Sequence, residues 1–500
     1  MLNKSWLDNI TLKQILIIAF IPRIIAALFS QGYAMDDDHY EVIEVAVAWM
    51  QGIDISNWFN SSYEEITSGR AILYPGLHYI LFSTLEFLGI ERLATQMFFV
   101  RIIHAFYSLL PVLFIYKTIN LFYQKKYVVI ASLIWALLWF VPYMSVRNLV
   151  EMAAIPPLIA GTYFSLKAIK HEQSAKRHLS VGLLFGLAFS IRYQAALYPV
   201  GFCLGLLALR HYKEFLYSLS AGVFWVCLFH GIGDYLMSGV PFGVVRYYVE
   251  YNLNFGSSYI QHPWYQYGIV LAGFMVAPVS VFWLIGSVRF KKEMLPVFIG
   301  ALTFIVIHSI FKGKQERFIF TIMPFVLILG VPGWYSLVEK GKSWLKGLTK
   351  YSFYFAGSLN IIALCILSIW FSKSSRVRMM DYFNDKDFGK NELVLISYVG
   401  KNKKTHIPKA YSGKFPTITH IKSDSIKYEE LNSEIVGGNF LIIERLPSEP
   451  MDSIQTVLLK NGIRVQYDQT FHNSFVDGVH FKMNPRFVDN YEYDVYRIND

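Results

Sequence analysis

Between positions 12 and 371 the chain alternates long apolar runs with short polar connections. A bilayer's hydrocarbon core, about 30 Å thick, takes roughly 17 to 25 consecutive apolar residues as a helix. Runs of this kind cover 12–30, 71–88, 97–122, 127–143, 149–166, 179–209, 214–236, 265–288, 295–311, 318–337 and 351–371. The run 179–209 carries Arg192 at its middle and is predicted to break there into two short helices. The pattern predicts a polytopic bundle of eleven or twelve passes. Arg23, inside the first run, is expected to face other helices or to snorkel toward the headgroups. Residues 1–13 are polar and the first apolar run is too long for a signal-peptide core. With no small-residue cleavage site after it, it is expected to stay as an uncleaved first helix.

A polar, carboxylate-rich stretch, 31–70, separates the first two runs. Within it Val42, Val45, Ala46 and Trp49 recur at helical spacing, which predicts a short amphipathic helix lying in the membrane interface. Trp58 and Phe59 suit the headgroup layer. After position 372 the composition turns to charge, Asn, Ser and Lys. Strand-like runs at 392–397 (ELVLIS), 439–444 (NFLIIE) and 464–467, with a helical piece at 453–461, predict a small α/β domain. No phosphate-binding glycine loop occurs in it, so recognition or packing is its expected role. The expected division is a membrane domain over 1–372, with 31–70 as its first external loop, and a soluble domain over 373–500.

Composition agrees with the pattern. Of 500 residues 54% are apolar and only 16% charged, and the mean hydropathy is +0.36, beyond the usual soluble mix. The net charge of +10 would suggest a nucleic-acid partner in a soluble chain. Here many of the Lys and Arg residues fall in clusters between apolar runs, which points to topology and anionic lipid headgroups instead. No nucleic-acid partner is expected. Cys203, Cys227 and Cys365 all lie inside apolar runs, where a thiol acts as a small hydrophobe. They suggest neither a disulfide frame nor a zinc site.

The basic clusters at 125–126, 167–178, 210–213, 289–292 and 340–350 are expected to be cytoplasmic. Counting crossings from Lys125 then puts 145–151, the turn at Arg192, the long loop 237–264, the loop 311–317 and the tail on the far side. For Asp37 to join them, the runs 71–88 and 97–122 must together cross an odd number of times. The far side would collect the carboxylates Asp36, Asp37, Asp38, Glu44, Glu151 and Asp234 and the cations Arg70, Arg147, Arg192, Lys314 and Arg317. Ionisable groups at a membrane boundary are functional candidates by default. A carboxylate can take a proton from an acceptor hydroxyl while fixed cations hold a departing anion. The aromatic, hydroxyl-rich loop that ends in His262-Pro263-Trp264 suits stacking on sugar faces.

These residues resemble the motifs of the dolichyl-phosphate-mannose-dependent α-mannosyltransferases of glycosyltransferase family 22, which have the GT-C membrane fold. Met35-Asp36-Asp37-Asp38-His39-Tyr40-Glu41-Val42-Ile43-Glu44 falls on the family's His-Pro-Asp-Glu-x-(Phe/Tyr)-Gln-x-x-Glu. Arg70 with Tyr74-Pro75-Gly76, Asn148-Leu149-Val150-Glu151, and Arg192 after the Gly-rich run from Gly182 are similar to further family motifs. The most specific likeness is Asp234, Tyr251-Asn252, Gly256, Ser258-Tyr259 and His262-Pro263-Trp264-Tyr265-Gln266-Tyr267. Gly313-Lys314-Gln315-Glu316-Arg317-Phe318 resembles the family's His-Lys-Glu-x-Arg-Phe. The chain departs from the pattern at Met35, Asp36, Glu41, Gly313 and Gln315. Arg147 stands three residues from the helix Arg of the family, and no Thr-Trp-Glu is found.

The resemblance implies an inverting transfer of a sugar, mannose in this family, from a polyprenyl- or dolichyl-phosphate donor to a hydroxyl of a glycan or glycolipid acceptor. It implies Asp37 as base, with Asp38 as second catalytic candidate. Glu44, Arg70, Glu151, Arg192, Asp234, Asn252, Tyr259, His262, Trp264, Lys314 and Arg317 would bind substrates. A monophosphate donor needs no metal once Lys314 and Arg317 face it, and a divalent cation on the three-Asp run is the alternative. The compact loops and Ile/Lys-rich tail suggest a bacterial inner membrane with the site facing the periplasm, or the endoplasmic reticulum lumen in a eukaryote. Plainer alternatives stand beside each residue. The acidic run could be a solvated helix start, Arg192 a structural partner of a carboxylate, His262-Pro263-Trp264 an interfacial anchor, and Glu151 and Asp234 partners for Arg. Another sugar specificity, or a non-catalytic lipid-glycan transporter or flippase, are the rival functions. A secondary transporter should show inverted repeats, and none is seen.

Overall fold

The computed structural model describes residues 9–52, 71–255, 261–386, 392–397, 406–413, 415–422, 440–448, 464–483 and 490–498. Arg70, Tyr259, Trp58, Phe59 and the helical piece expected at 453–461 lie outside them. The chain falls into two compact units. The first is Met1–Leu28, Asp54–Leu77 and Val100–Ile369; the second is Phe29–Ile53, His78–Phe99 and Trp370–Asp500.

The first unit is a helix bundle. Among the described residues, seven helices are long and apolar enough to cross a bilayer: Leu12–Phe29, Leu93–Phe122, Val150–Lys170, Tyr212–Leu236, Lys292–Ile310, Glu316–Lys340 and Ser343–Ser368. The other apolar stretches are shorter or broken, at Lys125–Leu137, His178–Ile191, Leu197–Ala208 and Gln266–Phe274 with Val279–Ser287. The expected total of eleven or twelve thus corresponds to seven full-length helices plus interrupted ones. Helix Leu73–Phe87 has 15 residues, about 22 Å at 1.5 Å per residue, against the 30 residues of Leu93–Phe122.

Glu316–Lys340 is buried almost throughout, whereas few residues of Tyr212–Leu236 and Ser343–Ser368 are fully buried. Tyr351, Phe355, Ile361 and Ile362 are all more than half exposed, as expected where the neighbour is lipid. Close packing relies on glycine. A Cβ on Gly286 or Gly333 would run into backbone carbonyls of the facing helix, and one on Gly330 into Trp283. Only glycine lets Val279–Ser287 approach Met323–Lys340 this closely. Arg23 is fully buried and donates to Ser108 Oγ at 3.0 Å and to the Ala19 and Ala136 carbonyls, each at 2.8 Å. It faces other helices, as expected. At one end of this unit the basic clusters meet: Lys126 pairs with Glu339, and Lys170 and Lys291 cap the Leu121 and Phe122 carbonyls.

The second unit holds a five-stranded sheet in the order β2-β1-β3-β5-β4, with β1 (Glu392–Ser397), β2 (Thr417–Lys422), β3 (Phe440–Arg445), β4 (Val465–Phe471) and β5 (Glu492–Ile498). β1 pairs in parallel with β2 and β3, with Leu393 opposite Phe440. β5 runs antiparallel to β3 and β4, with Ile442 opposite Val495. Buried along its whole length, β3 is an uninterrupted apolar run, FLIIER to its last two residues; the outer strand β4 is partly exposed. Helix Ser374–Phe383 packs on the sheet, its Phe383 ring 5.2 Å from that of Phe440.

The residues 29–53 belong to this same unit. Asp36–Asp38 make one helical turn, His39–Glu44 a π-helical turn and Val45–Met50 an α-helix. Val42, Val45 and Ala46 are fully or almost fully buried. Their stripe packs into protein, which corrects the expectation of a helix lying in the membrane interface.

Candidate active site

In the first unit, three breaks in helical structure bring three charged side chains together. Leu149 is extended, which starts the short helix Val150–Ala153 ahead of the Pro156-Pro157 pair and leaves Glu151 in its first turn. Arg192 is extended (φ −149°, ψ 115°) between helix His178–Ile191 and the 3-10 turn Tyr193–Ala196. The run 179–209 does break at Arg192. Arg317 lies in the 3-10 segment Glu316–Ile322. All three side chains are buried. Arg192 Nη1 pairs with Glu151 Oε1, and Arg317 Nε stands 3.6 Å from the same oxygen. Both guanidinium groups lie against the Phe318 ring, at 5.0 and 5.6 Å. Thr321 Oγ1 donates to the Glu151 backbone carbonyl at 3.3 Å. One carboxylate between two guanidinium groups leaves the trio with a formal charge of +1 inside an apolar bundle.

Of the late basic pair, Lys314 meets the end of the aromatic loop. Gln261 and Gly313 form an antiparallel bridge, and His262 N–H donates to the Lys312 carbonyl at 3.1 Å. Lys314 Nζ donates to the His262 carbonyl at 3.1 Å and to that of Phe311. Lys314 is buried, and burial pulls its ammonium below the ordinary lysine value. Arg317 Nε also donates to Gln315 Oε1 at 2.7 Å. Trp264 is 74% exposed, a position suited to headgroups. Arg147 stacks on Tyr143 with Cζ 3.7 Å from the ring centre and donates to the Tyr143 carbonyl at 2.9 Å.

The stretch 237–264 is more than the expected loop, because Gly243–Phe255 is a helix. Val244, Tyr247, Tyr248 and Tyr251 recur at helical spacing, a signal masked by the polar residues among them. Asp234 accepts the Val244 N–H at 3.2 Å and so caps this helix. Asn252 Nδ2 donates within the helix to the Tyr248 carbonyl at 2.8 Å. Tyr248 receives Gln194 Nε2 and packs on Tyr193, 5.0 Å between ring centres, beside the Arg192 break. Gln194, Tyr248 and Phe318 therefore join the site; Phe318 ends the Gly313–Phe318 motif, whereas Gln194 and Tyr248 carried no charge or motif that would have flagged them.

The acidic motif sits in the second unit. Asp37 is exposed, while Asp38 and Glu44 are each 2% exposed. The run is the first turn of a helix, with Asp36 and Asp37 open to solvent and His39 and Tyr40 buried behind Asp38. Lys373 pairs with Asp36. Burial works against the Asp36 charge, but Lys373 and Arg376 outweigh it and hold its carboxyl well below the usual carboxylate range. Glu44 Oε1 accepts the Ala410 N–H at 3.0 Å and lies 3.2 Å from His39 Nε2. Among the described residues, no three His, Cys, Asp or Glu side chains gather as a metal-ligand set.

Comparison with known proteins agrees with this architecture. The Arabidopsis thaliana mannosyltransferase APTG1 is 23% identical over 349 residues, 68% of this chain, and the match spans 61% of that protein's length. Two solved structures share the fold at low identity. ArnT from Cupriavidus metallidurans bound to undecaprenyl phosphate has a TM-score of 0.62 at 12% identity, covering 97% of this chain and 96% of that one. The oligosaccharyltransferase AglB from Archaeoglobus fulgidus, with an inhibitory peptide and a dolichol-phosphate, has 0.52 at 11% identity, covering 88% and 70%. The model of the Alg9-like mannosyltransferase family matches residues 14–397. This multi-pass membrane chain of GT-C fold belongs to the Alg9-like mannosyltransferase family.

Proposed function

We propose that the chain is an inverting membrane glycosyltransferase that moves mannose from a polyprenyl-phosphate donor to a hydroxyl of a glycan or glycolipid. The observation that carries this reading is Glu151 shared between buried Arg192 and Arg317. Two oriented guanidinium groups with a net positive charge in a low-dielectric bundle suit a phosphate monoester or diester. The lipid phosphates bound in ArnT and AglB support a carrier of the same class here.

In the proposed reaction the acceptor oxygen attacks the anomeric carbon opposite the phosphate, and Asp37 takes the hydroxyl proton. The carbon–oxygen bond to phosphate breaks, its electron pair leaves with the polyprenyl phosphate, and Arg192, Arg317 and Lys314 offset the charge that develops. Asp37 is exposed, as a base that must reach an acceptor has to be. Asp38, the second catalytic candidate, is buried. Asp234 and Asn252 hold the helix Gly243–Phe255, whose loop would bring Tyr259, His262 and Trp264 to the sugar. Arg70 is assigned to substrate binding by motif alone. The basic clusters gathered at one end of the bundle support a cytoplasmic end. The site then faces the periplasm in a bacterium, or the endoplasmic reticulum lumen in a eukaryote.

Purified protein incubated with labelled polyprenyl-phosphate mannose and a panel of glycolipid acceptors tests the proposal. Transfer giving a product of inverted anomeric configuration supports it. Transfer only from another polyprenyl-phosphate sugar replaces mannose within the same mechanism. Binding or movement of lipid-linked glycan with no bond made would favour a transporter.

A further inference from the structure

The first external segment and the tail are joined at three places within the second unit. At the first, Ser30 Oγ donates to the Trp370 carbonyl at 2.7 Å, Ser372 N–H to the Gln31 carbonyl at 3.1 Å and Ser372 Oγ to the Tyr33 carbonyl at 2.9 Å. Gly32, at φ +79°, lies so close that a Cβ would fall on the Ser372 carbonyl. At the second, Lys373 pairs with Asp36 and stands 4.1 Å over the Tyr33 ring. The Lys373 backbone is itself left-handed, at φ 55°, an uncommon conformation for a side chain of this kind. At the third, the 3-10 turn Lys409–Ser412 gives its Ala410 N–H to Glu44 and stacks Tyr411 on His39 at 5.5 Å, while Gln51 Nε2 donates to the Gly413 carbonyl at 3.1 Å. On its other face His39 stacks on Tyr33 at 4.5 Å.

Asp37 lies between these ties. Its turn, Asp36–Asp38, is the first turn of a helical segment that continues through the π-turn to Met50, and no side chain caps its start. The first turn of a helix lacks partners for its leading N–H groups. The neighbours of Asp37 are fixed by the tail at Asp36 on one side and at His39 and Glu44 on the other. Asp36 stands where the family pattern has proline, and the cation that offsets it comes from the tail.

We propose that the carboxy-terminal domain is a positioning element of the acidic loop: Lys373 and the Ala410 amide hold Asp36 and Glu44, and so set where Asp37 stands. Lys373 and Glu44 are positioning residues, which moves Glu44 from acceptor contact to anchor, its Oε1 being shared by two protein groups. The inference rests on the reading of Asp37 as base. Lys373 also feels the Asp37 charge, so its ammonium favours the ionised base as well as fixing its place.

The test uses the full chain in nanodiscs, with Lys373→Met, Lys373→Arg, Asp36→Asn and the Asp36→Asn/Lys373→Met pair. The readouts are kcat, KM for donor and acceptor, the acid limb of the pH–rate profile and hydrogen exchange over 36–50. Lys373→Met is expected to lower kcat by on the order of 10- to 100-fold with donor KM unchanged, as a displaced reacting group does. It should also move the acid limb to higher pH and speed exchange over 36–50, and Lys373→Arg should restore most of the loss. Asp36→Asn should speed exchange in the same segment, and the double variant should be no worse than Lys373→Met alone. Wild-type kcat, pH profile and exchange in Lys373→Met overturn the proposal. If that variant fails to fold, wild-type exchange and kcat in Asp36→Asn overturn it instead. A wild-type rate in Asp37→Asn removes the base assignment alone, because exchange over 36–50 is read without substrate.

Discussion

Arg192 and Glu151 form an ion pair whose side chains are 2% and 0% exposed, at a point where the helix carrying Arg192 is interrupted. Removing one member of a buried pair strands the other, at a cost of roughly 3 to 5 kcal/mol. Glu151→Ala should therefore lower the unfolding free energy by about that much, and Glu151→Gln by less because it keeps a hydrogen-bond acceptor. Denaturant titration in detergent measures both. Arg192→Lys keeps the charge but loses the planar fork, and should keep stability better than it keeps transfer.

Gly32→Ala should be among the most disruptive single changes in the chain. The residue has a positive φ, and its added methyl would meet a backbone carbonyl that cannot rotate away. Strain of this kind costs roughly 1 to 3 kcal/mol before the clash is counted. A fall in melting temperature with faster proteolysis between the loop and the tail is expected. Gly52, also at positive φ but with open space around it, is the control: Gly52→Ala should be milder.

The Asp36–Lys373 contact has a definite pH dependence. The folded-state pKa of Asp36 is depressed, so its contribution to stability is fully present above the unfolded value, about 3.9, and is lost as pH falls through the folded value. Protection from hydrogen exchange over 36–50, relative to the unstructured rate at each pH, should hold at pH 5 and fall only below about pH 4. In Lys373→Met the loss of protection should begin at higher pH.

Sidedness is open to chemical labelling. Cys227 and Cys365 are exposed and should be replaced first. Leu253→Cys, on the exposed face of helix Gly243–Phe255, should then react with an impermeant reagent added to the face opposite the basic clusters. Reaction from the cytoplasmic face would overturn the orientation.

The sequence carried the site unevenly, for physical reasons. The break at Arg192 was visible because a charge in an apolar run must find a partner, and Glu151 was among the few carboxylates available to it. Strands β1, β3 and β4 were visible as dense apolar or alternating runs. β2 (TITHIK) and β5 (EYDVYRI) were not, because their charged residues dilute the pattern and pairing alone makes them strands. The burial of Val42, Val45 and Ala46 was misread as a membrane-facing stripe, since periodicity shows that a face is apolar but not what covers it. Lys373 lies 337 residues from Asp36, and nothing local in the sequence announces that contact. The helix Gly243–Phe255 was hidden by Asn and Tyr residues that suit a loop equally well.

The most direct measurement of the central claim is the transfer rate of Asp37→Asn, with polyprenyl-phosphate mannose as donor. The substitution keeps size and hydrogen bonding and removes the proton acceptor. A rate reduced by roughly 100-fold or more, with donor binding intact, is predicted for loss of a general base. Transfer at the wild-type rate would contradict the account.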